Sequence, residues 1–292
     1  MLHVNNVTKV IGGKNILENI SFSVQEGDCV ALIGPNGAGK STLLGALLGD
    51  KTINHGSIKF HSMAPKDKRL KQKIAILQQE NTIPNNLKVK ELIIFFRQIA
   101  ENPLSEKVID DLLGFSQSQK NFLAGKLSGG QRRLLSFVLI LIGQANILFL
   151  DEPTAGMDTS MRKHFWEIID VLKHQGKTIL YTSHYIEEVE HTADRILILH
   201  EGRLLRDTSP YALGNKELEK EISLPKKYEN LVITLPFINH YISKRDSIQF
   251  RTQSIADLWP LLEEAGVSIQ EIQIQNKSLL DSLFDQTKGE AK

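Results

Sequence analysis

The sequence predicts an α/β fold over residues 1–210 and a small α+β domain after them. Two apolar runs with the length of buried strands, residues 147–150 and 178–182, are separated by a helical pattern over residues 161–174. A third such run, residues 29–33, leads directly into a glycine-rich turn and a helix. Strand, helix and strand in this order, with strands that are apolar throughout, are typical of a parallel sheet covered by helices.

An antiparallel β subdomain is predicted at the N-terminal end. Apolar residues 2–7 and 20–24 lie on either side of the turn signal Gly12-Gly13, as in two strands that run in opposite directions. The remaining predicted elements of this part are strands over residues 57–60, 74–77 and 195–199, and a helix over residues 41–48.

A helical subdomain is predicted over about residues 83–143. Its most apolar part, residues 134–143, ends at Gln144, well short of the ~20 residues that a membrane-spanning helix needs. We therefore expect a buried helix there and a chain that does not cross a membrane by itself.

The composition changes after about residue 210. Residues 211–227 are polar and rich in lysine and glutamate, which favours a linker helix. Residues 228–292 predict a small accessory α+β domain. Its predicted elements are strands over 231–235, 248–251 and 269–274, a helix over 255–265 capped by Ser254, and a last helix that opens at Ser278.

The composition is that of a globular protein with no surplus of either charge. Charged residues make up 24% and apolar residues 41% of the chain, and the formal net charge is +1. The chain lacks the basic surplus of most nucleic-acid-binding domains, so nucleic acid is not expected as a partner. The single cysteine, Cys29, lies in an apolar run and is expected to be a buried, unreactive thiol.

Residues 34–42 read GPNGAGKST and match the phosphate-binding pattern GxxxxGK[ST] between a predicted strand and a predicted helix. In such a loop the backbone N–H groups, here those of residues 36–40, surround a β-phosphate, and Lys40 reaches the β- and γ-phosphate oxygens. The hydroxyl of Ser41 is the expected Mg²⁺ ligand. The residues of this loop predicted to bind a nucleotide are Gly34, Pro35, Asn36, Gly37, Ala38, Gly39, Lys40, Ser41 and Thr42.

Two further predicted strands end in side chains suited to nucleotide chemistry. The stretch ILFLDE, residues 147–152, puts Asp151 at the carboxyl end of a buried strand, where an aspartate can hold Mg²⁺. Glu152 follows, suitably placed to orient and polarise an attacking water. His184 ends the strand of TILYTSH, where a γ-phosphate contact, the positioning of water or a purely structural role all fit.

A second anion-binding pattern is LSGGQRR, residues 127–133. Ser128 is suited to cap a helix, and the glycines after it leave backbone N–H groups unobstructed at the helix N-terminus. The chain thus has two phosphate-binding segments but only one phosphate-binding loop. The residues of the second segment predicted to contact a phosphate are Leu127, Ser128, Gly129, Gly130 and Gln131.

The stretches GPNGAGKST, LSGGQ, LFLDEP, AGMD (residues 155–158) and TSH occur in the order and spacing of ABC transporter ATPase subunits, a family that residues 1–210 resemble. The resemblance implies a P-loop, RecA-like domain that binds ATP and Mg²⁺ and hydrolyses ATP. It also implies a dimer, in which the segment at Ser128 clasps the γ-phosphate of the nucleotide bound at the second subunit. Glu152 is expected to act as the general base in ATP hydrolysis.

The same resemblance assigns roles to residues outside the phosphate-binding loop. Gln79 in AILQQE resembles the glutamine that contacts Mg²⁺ and the lytic water, with Gln78 as the alternative. Asp158 resembles an aspartate that crosses to the partner subunit, which is expected to be a second copy of this chain. The resemblance further implies a transmembrane permease as partner, which would hold the chain peripherally at the cytoplasmic face of the cell membrane.

Weaker patterns bear on the process that the ATPase serves. Residues 275–290, QNKSLLDSLFDQTKGE, resemble the ending of ATPase subunits of ABC-2-type exporters, which favours export over an importer with a regulatory tail. A soluble ABC-type ATPase that acts on nucleic acid or ribosomes is the third hypothesis. Residues 43–126 hold no sustained heptads and the chain has a single GxxxxGK[ST], which disfavours that hypothesis.

The position that would meet the nucleotide base departs from the family pattern. Many members place an aromatic residue there to stack on adenine, but the matching residue is Ile11, and residues 1–21 contain no aromatic side chain. An aliphatic side chain packs against a base but forgoes a stacking contribution of about 0.5–1.5 kcal/mol. We therefore expect modest ATP affinity and weak discrimination between ATP and GTP.

Ile11→Tyr should restore this stacking and tighten ATP binding by about 2- to 10-fold, as measured by titration with a fluorescent nucleotide. The matched control, Ile11→Leu, keeps an aliphatic side chain and should bind ATP as the natural chain does. An ATP affinity unchanged in Ile11→Tyr would contradict the role of Ile11 as the base contact.

Overall fold

The computed structural model describes residues 1–70, 72–80, 82–212, 220–235 and 238–276. The chain divides into two compact units, Met1–Pro210 and Tyr211–Lys292, close to the change in composition. Each unit builds a hydrophobic core from its own strands and helices.

The first unit contains two sheets and a group of helices. Its strands are β1 (Leu2–Ile11), β2 (Lys14–Val24), β3 (Cys29–Ile33), β4 (His55–Phe60), β5 (Ile74–Leu77), β6 (Ile147–Leu150), β7 (Thr178–Ser183), β8 (Arg195–His200) and β9 (Arg203–Thr208). Its helices are α1 (Lys40–Leu47), α2 (Val89–Ile99), α3 (Glu106–Leu113), α4 (Gln117–Lys120), α5 (Gly129–Leu141), α6 (Thr159–His174) and α7 (Ile186–Thr192). Sequence analysis missed β9 and α7.

The larger sheet has the strand order β5-β6-β7-β3-β8-β9, and its first five strands are parallel. Every residue of β3, β6 and β7 is buried, as expected for the inner strands of a parallel sheet that is covered on both faces. Cys29 in β3 is buried, as predicted, and this burial raises the pKa of its thiol to about 12.

The smaller sheet is antiparallel, with the order β2-β1-β4, which confirms the predicted antiparallel subdomain. The turn between β1 and β2 uses Gly12 and Gly13 with φ of +57° and +79°, the left-handed pair that a tight hairpin of this twist needs. Leu17 of β2 shares one hydrophobic cluster with Leu43 and Leu47 of α1. The hairpin is thereby packed beside the helix that follows the phosphate-binding loop.

Helices α2 to α5 form the predicted helical part of the first unit. The longest of them, α5, begins with a capping box in which the Ser128 hydroxyl accepts from the Gln131 N–H and the Gln131 side chain accepts from the Ser128 N–H. Most of α5 is buried, as predicted for this apolar stretch. Among the described residues, no helix combines the length and the hydropathy of a membrane span.

The second unit is a four-stranded antiparallel sheet with helices packed against it. Its strands are β10 (Lys220–Pro225), β11 (Ile238–Ser243), β12 (Ser247–Thr252) and β13 (Gln273–Asn276), and its helices are α8 (Glu229–Ile233) and α9 (Ile255–Glu264). The strand order is β11-β12-β10-β13, so β12 lies between the two strands that α8 connects. This βαββαβ topology is the ferredoxin-like arrangement. Ser254 caps α9, as predicted.

One prediction for this unit was wrong at its beginning. Residues 220–225, expected to belong to a linker helix over 211–227, form β10, an inner strand paired with β12 and β13. Ile222 and Leu224 are buried and alternate with polar residues, which is the period of a strand. The surrounding lysines and glutamates obscured this alternation, so the accessory domain already includes β10 rather than beginning at residue 228.

A second prediction was wrong at residues 231–235, which were expected to form a strand and instead lie in and just after α8. Val232 and Leu235 are buried and three residues apart, while Ile233 between them is 61% exposed. That spacing is helical, and the short apolar run by itself did not distinguish a helix from a strand.

The end of the second unit agrees with the sequence in part. A strand was predicted over residues 269–274, but β13 begins only at Gln273. The helix predicted to open at Ser278, and most of the exporter-like ending at 275–290, lie outside the described residues.

Candidate nucleotide-binding site

Four parallel strands of the larger sheet end at the candidate site. β5, β6, β7 and β3 are consecutive neighbours, so their carboxyl ends lie along one edge of the sheet, where ligands bind in folds of this kind. The segments that follow them are residues 34–42 after β3, Gln79 after β5, Asp151 and Glu152 after β6, and His184 after β7.

The loop between β3 and α1 depends on glycine for two different reasons. Gly37 and Gly39 have φ of +83° and +105°, a left-handed conformation that lets successive N–H groups point toward one anion. Gly34 is needed for space, because a Cβ atom there would lie 2.1 Å from the carbonyl oxygen of Leu199 in β8. The loop is therefore shaped both by its own conformation and by close packing against the sheet.

Lys40 begins α1 and its ammonium group lies over the loop. Nζ donates to the carbonyl oxygens of Gly34 at 2.7 Å and Pro35 at 3.0 Å, and the residue is buried. Because an ammonium has three donors, these two bonds leave one for a phosphate oxygen. Burial lowers the pKa of the Lys40 amine, and the carboxylates of Glu152 and Asp151 act against this shift. Lys40 therefore interacts electrostatically with both acids that follow β6.

A buried threonine in β7, which sequence analysis did not single out, holds these two acids. The Thr182 hydroxyl donates to Asp151 Oδ1 at 2.6 Å and accepts from the backbone N–H of Glu152 at 2.8 Å. One hydroxyl thus fixes both the Asp151 carboxylate and the backbone of Glu152 relative to β7. Its only signal in the sequence is its place in TSH, two residues before His184.

The carboxylate of Glu152 lies between an amide and an imidazole. Gln79 Nε2 donates to Oε2 at 3.2 Å, and His184 Nδ1 lies 3.6 Å from Oε1. Of the two glutamine candidates, the preferred Gln79 is thus the one with a side-chain bond to this acid. Glu152 has φ of +44°, a left-handed conformation that is strained for a residue with a Cβ and persists only when its surroundings hold it. An acid held in this way is suited to take a proton from water.

A cleft of about 280 Å³ beside these acids is lined in part by Ser41, Gln79 and Asp151. Together these side chains offer a hydroxyl, an amide and a carboxylate oxygen. Mg²⁺ prefers oxygen ligands and usually combines one or two protein carboxylates with phosphate oxygens and water. The residues present therefore fit a magnesium ion bound together with a nucleotide.

The LSGGQ segment borders the chain that follows β6. Gly129 and Gly130 open α5, and a Cβ on Gly130 would lie 3.2 Å from the Cα of Met157. Ser128 caps the helix, as predicted. Within the described part of the chain, no hydrogen bond joins this segment to residues 34–42.

Two predicted residues lie outside this group of contacts. Asp158 caps α6, where its carboxylate accepts from the Met161 N–H at 2.9 Å and the Ser160 hydroxyl at 2.8 Å, and these bonds lower the pKa of its carboxyl group. Ile11 ends β1 beside the glycine turn and is 49% exposed, so its side chain is accessible to a ligand.

Arg133 on α5 is the second important side chain that sequence analysis missed. It is 1% exposed, and its guanidinium donates to backbone carbonyls that follow β5 and β6. Burial lowers its pKa to about 10, against the opposing effect of Asp151 and Glu152, so it is protonated at neutral pH. The available signal was a charged residue on the otherwise apolar, buried part of a helix.

Known proteins resemble this chain over most of its length. The sequence profile described as "ABC transporter" matches residues 17–155. The "Nod factor export ATP-binding protein I" of Burkholderia lata is 34% identical over 219 residues, which are 73% of this chain and 72% of that protein. The protein of the same name from Rhizobium johnstonii is 37% identical over 225 residues, 75% of this chain and 71% of that protein.

Solved structures share the fold. The dimeric structure of an ATP-binding cassette in a post-hydrolysis state, bound to ADP and Pi, has a TM-score of 0.63 at 22% identity and covers 72% of this chain and 99% of that chain. A bacterial Atm1-family ABC exporter with ATP bound has a TM-score of 0.64 at 24% identity and covers 74% of this chain and 39% of that chain. The predicted fold class is confirmed by these likenesses.

Thr182→Val should greatly slow ATP hydrolysis while the chain still folds. Valine keeps the shape but removes the hydroxyl, which leaves the Glu152 N–H unpaired and the Asp151 carboxylate unrestrained. We expect the steady-state rate of ATP hydrolysis to fall by about 10- to 100-fold and the free energy of unfolding to fall by about 1–3 kcal/mol.

The control is Thr178→Val, at the other end of β7. The Thr178 side chain is also buried, and its hydroxyl accepts from the Gly27 N–H at 2.9 Å. This variant should lose comparable stability and keep the natural rate of hydrolysis. Equal rates in the two variants would contradict the role given to Thr182.

Proposed function

Because this chain belongs to the family of ABC transporter ATP-binding subunits and is an ATPase, we propose that it powers export through a separate membrane permease as half of an ATP-dependent dimer. One observation supports the hydrolytic site above all. The Glu152 carboxylate lies between Gln79 and His184 and interacts electrostatically with Lys40. A carboxylate, two polar side chains and an ammonium group are thereby gathered at one edge of the sheet.

The proposed reaction is in-line attack of water on the γ-phosphate of ATP, which breaks the bond to the β–γ bridging oxygen and releases ADP and phosphate. Glu152 takes the proton of the attacking water, and His184 positions the γ-phosphate. Lys40 stabilises the negative charge that develops on the phosphate oxygens. The loop from Gly34 to Thr42 holds the β-phosphate through its backbone N–H groups.

Mg²⁺ is proposed to bind with ATP. Ser41, Gln79 and Asp151 would hold it, since these side chains line one cleft. When bound, the ion would neutralise part of the negative charge of the phosphate oxygens.

The proposal of a dimer is supported by the LSGGQ segment, which has the backbone features of an anion-binding helix N-terminus but, among the described residues, no hydrogen bond to the phosphate-binding loop of its own chain. Ser128 and the N–H groups of Gly129 and Gly130 lie at the N-terminus of a 13-residue helix, the positive end of the helix dipole. They are proposed to clasp the γ-phosphate of a nucleotide bound at Lys40 of a second copy, with Asp158 at the same interface.

Export is favoured over import by the names of relatives. Proteins 34–37% identical to this chain are named "Nod factor export ATP-binding protein I". An importer subunit with a regulatory tail is the alternative. Reconstitution with the permease in proteoliposomes separates the two, because ATP on the side of the ATPase drives cargo away from that side only in an exporter.

An apolar groove on the helical part of the first unit is proposed as the permease contact. The groove, about 890 Å³, is lined in part by Ile76, Phe96 and Ile99, of which Ile99 is 63% exposed. On the same helix α2, Phe95 is 54% exposed. Exposed apolar patches of this kind mark interaction surfaces. Ile76 lies in β5, three residues before Gln79. A permease bound here would contact the strand that leads to this glutamine and hold the chain at the cytoplasmic face of the membrane.

Glu152→Gln should trap the ATP-bound dimer. Glutamine keeps the shape of the side chain but cannot accept the proton, so we expect hydrolysis to slow by about 100-fold or more while ATP still binds. Light scattering during size-exclusion chromatography, with and without ATP, would show the dimer. A variant that turned over ATP at the natural rate would contradict the role of Glu152.

Ser128→Ala in the Glu152→Gln background should prevent that dimer. The matched control in the same background is Ser105→Ala, because Ser105 caps α3 by the same type of bond, to the Val108 N–H at 3.3 Å. The control should form the dimer as before. A dimer of unchanged stability in the Ser128→Ala chain would contradict the proposed contact with the second nucleotide.

Ile99→Glu should abolish capture of the permease from detergent-solubilised membranes of the native host, because a charge in the groove would have to be desolvated. The isolated chain should keep its rate of ATP hydrolysis. Val171→Glu on α6, where the side chain is 53% exposed, is the control and should still co-purify with the permease. Equal capture by both variants would exclude this groove as the contact.

A further inference from the structure

Arg133 is a buried arginine with every donor in use. Its five N–H groups donate to five backbone carbonyls, and the side chain is 1% exposed. Nη1 donates to the carbonyls of Gln78 and, at 3.1 Å, Gln79. Nη2 donates to those of Asp151 at 2.6 Å and Glu152 at 3.2 Å, and Nε to that of Pro153 at 3.1 Å.

These acceptors explain why a charge is tolerated here. A buried cation is costly unless hydrogen bonds replace its hydration, and the five carbonyls provide them. The planar guanidinium with five donors matches this set of acceptors, whereas a lysine ammonium has only three donors on one atom. The site therefore requires arginine rather than a positive charge alone.

The five carbonyls belong to the two segments whose side chains meet at the reaction centre. Glu152 has its N–H bonded to Thr182 and its carbonyl bonded to Arg133, so its left-handed backbone is held from both sides. The same guanidinium holds the carbonyl of Gln79, whose side chain contacts the Glu152 carboxylate. Arg133 thus fixes the position of Gln79 relative to Glu152.

We propose that Arg133 is a positioning residue for ATP hydrolysis, which holds the backbones of Gln79 and Glu152 in register and ties both to helix α5. The inference rests on the proposed role of Glu152 as general base. Arg133 acts through backbone carbonyls and has no contact with the nucleotide in this role. Its loss should therefore affect the chemical step rather than the binding of ATP.

The position of Arg133 on α5 gives this arrangement a second consequence. Ser128, proposed to contact the nucleotide of the other subunit, lies five residues earlier, which is ~7.5 Å along a helix axis. A displacement of α5 on engagement with that nucleotide would therefore move the carbonyls on both sides of Glu152 through direct hydrogen bonds. Helix α5 would thus contact the nucleotide of the second subunit and also position Glu152, the proposed general base, beside the nucleotide of its own subunit.

Arg133→Lys and Arg133→Met test the proposal in the full chain. Both should lower kcat by about 100-fold, since a misplacement of about 1 Å can cost that much, while the Kd for a fluorescent ATP analogue changes less than about 3-fold. Lysine at this position should not restore kcat, because its three donors cannot bond all five carbonyls. Natural kcat in Arg133→Lys, or a loss of ATP binding equal to the loss of kcat, would overturn the proposal.

Lys120→Met is the matched control for loss of a buried cation. Lys120 is 7% exposed, lies on α4 and bonds to the carboxylate of Asp110 at 2.7 Å and 2.9 Å. This variant should become less stable toward heat and keep kcat within about 2-fold, since its partner lies outside the site. A loss of kcat as large as that of Arg133→Lys would show that destabilisation alone accounts for the effect.

Combining Arg133→Lys with Glu152→Gln separates positioning from a general structural role. If Arg133 acts through Glu152, the residual rate of Glu152→Gln should fall less than about 3-fold when Arg133→Lys is added. The effects of two residues that act together on one step are not additive. A further 100-fold loss would overturn the proposal. A Glu152→Gln chain with natural kcat would instead refute the proposed general base, a distinct outcome.

Hydrogen exchange keeps the test decisive if kcat measurements are limited by unstable protein. The measurement is made in the presence of ATP, which stabilises the folded state. Amide hydrogen exchange in Arg133→Lys should then be faster in the segments 76–80 and 149–154 than in the natural chain, relative to the rest of the first unit. Lys120→Met should not show this local pattern. Unchanged exchange in both segments of Arg133→Lys would overturn the proposal.

Discussion

The candidate site depends above all on the parallel pairing of β5, β6, β7 and β3 in one sheet. Since all four strands point the same way, the phosphate-binding loop, both acids, Gln79 and His184 follow strands that end at the same edge. Segments up to 73 residues apart in the chain are thereby brought within hydrogen-bond distance, with Gln79 bonded to Glu152 and Thr182 to Asp151. The apolar strands that specify the sheet are thus also what assembles the reaction centre.

The sheet fixes where each strand ends, but the loops that follow the strands could still adopt several conformations. The remaining freedom at Glu152 is removed by polar groups from two directions: Thr182 within the sheet and Arg133 from the helical segment. Both are almost completely buried, so their bonds do not compete with water and are stronger than surface contacts. The strained backbone of Glu152 is consistent with this support, since such a conformation persists only where its surroundings over-determine it.

The second unit shows how polar composition can hide a regular fold. β10 is an inner strand, yet its sequence, KEISLP, lies in a stretch rich in lysine and glutamate. Within β10, Ile222 and Leu224 supply the buried face, and Glu221 and Ser223, which alternate with them, are only partly buried. Two apolar residues give a weak periodic signal, whereas pairing with β12 and β13 on both sides decides the structure. Strand pairing, rather than the local sequence pattern, therefore determined the structure of residues 220–225.

The sequence by itself determined the parallel sheet of the first unit, the phosphate-binding loop, the strand-end acids and the family, because these depend on apolar periodicity and on contiguous motifs. Tertiary structure alone decided that Thr182 and Arg133 hold Glu152. Their partners are a carboxylate, an N–H and main-chain carbonyls in the segments that follow β5 and β6, and a carbonyl is present at every residue. No residue pattern can mark an acceptor that all residues possess. Only the folded arrangement of β5, β6 and α5 selects the ones that Arg133 binds.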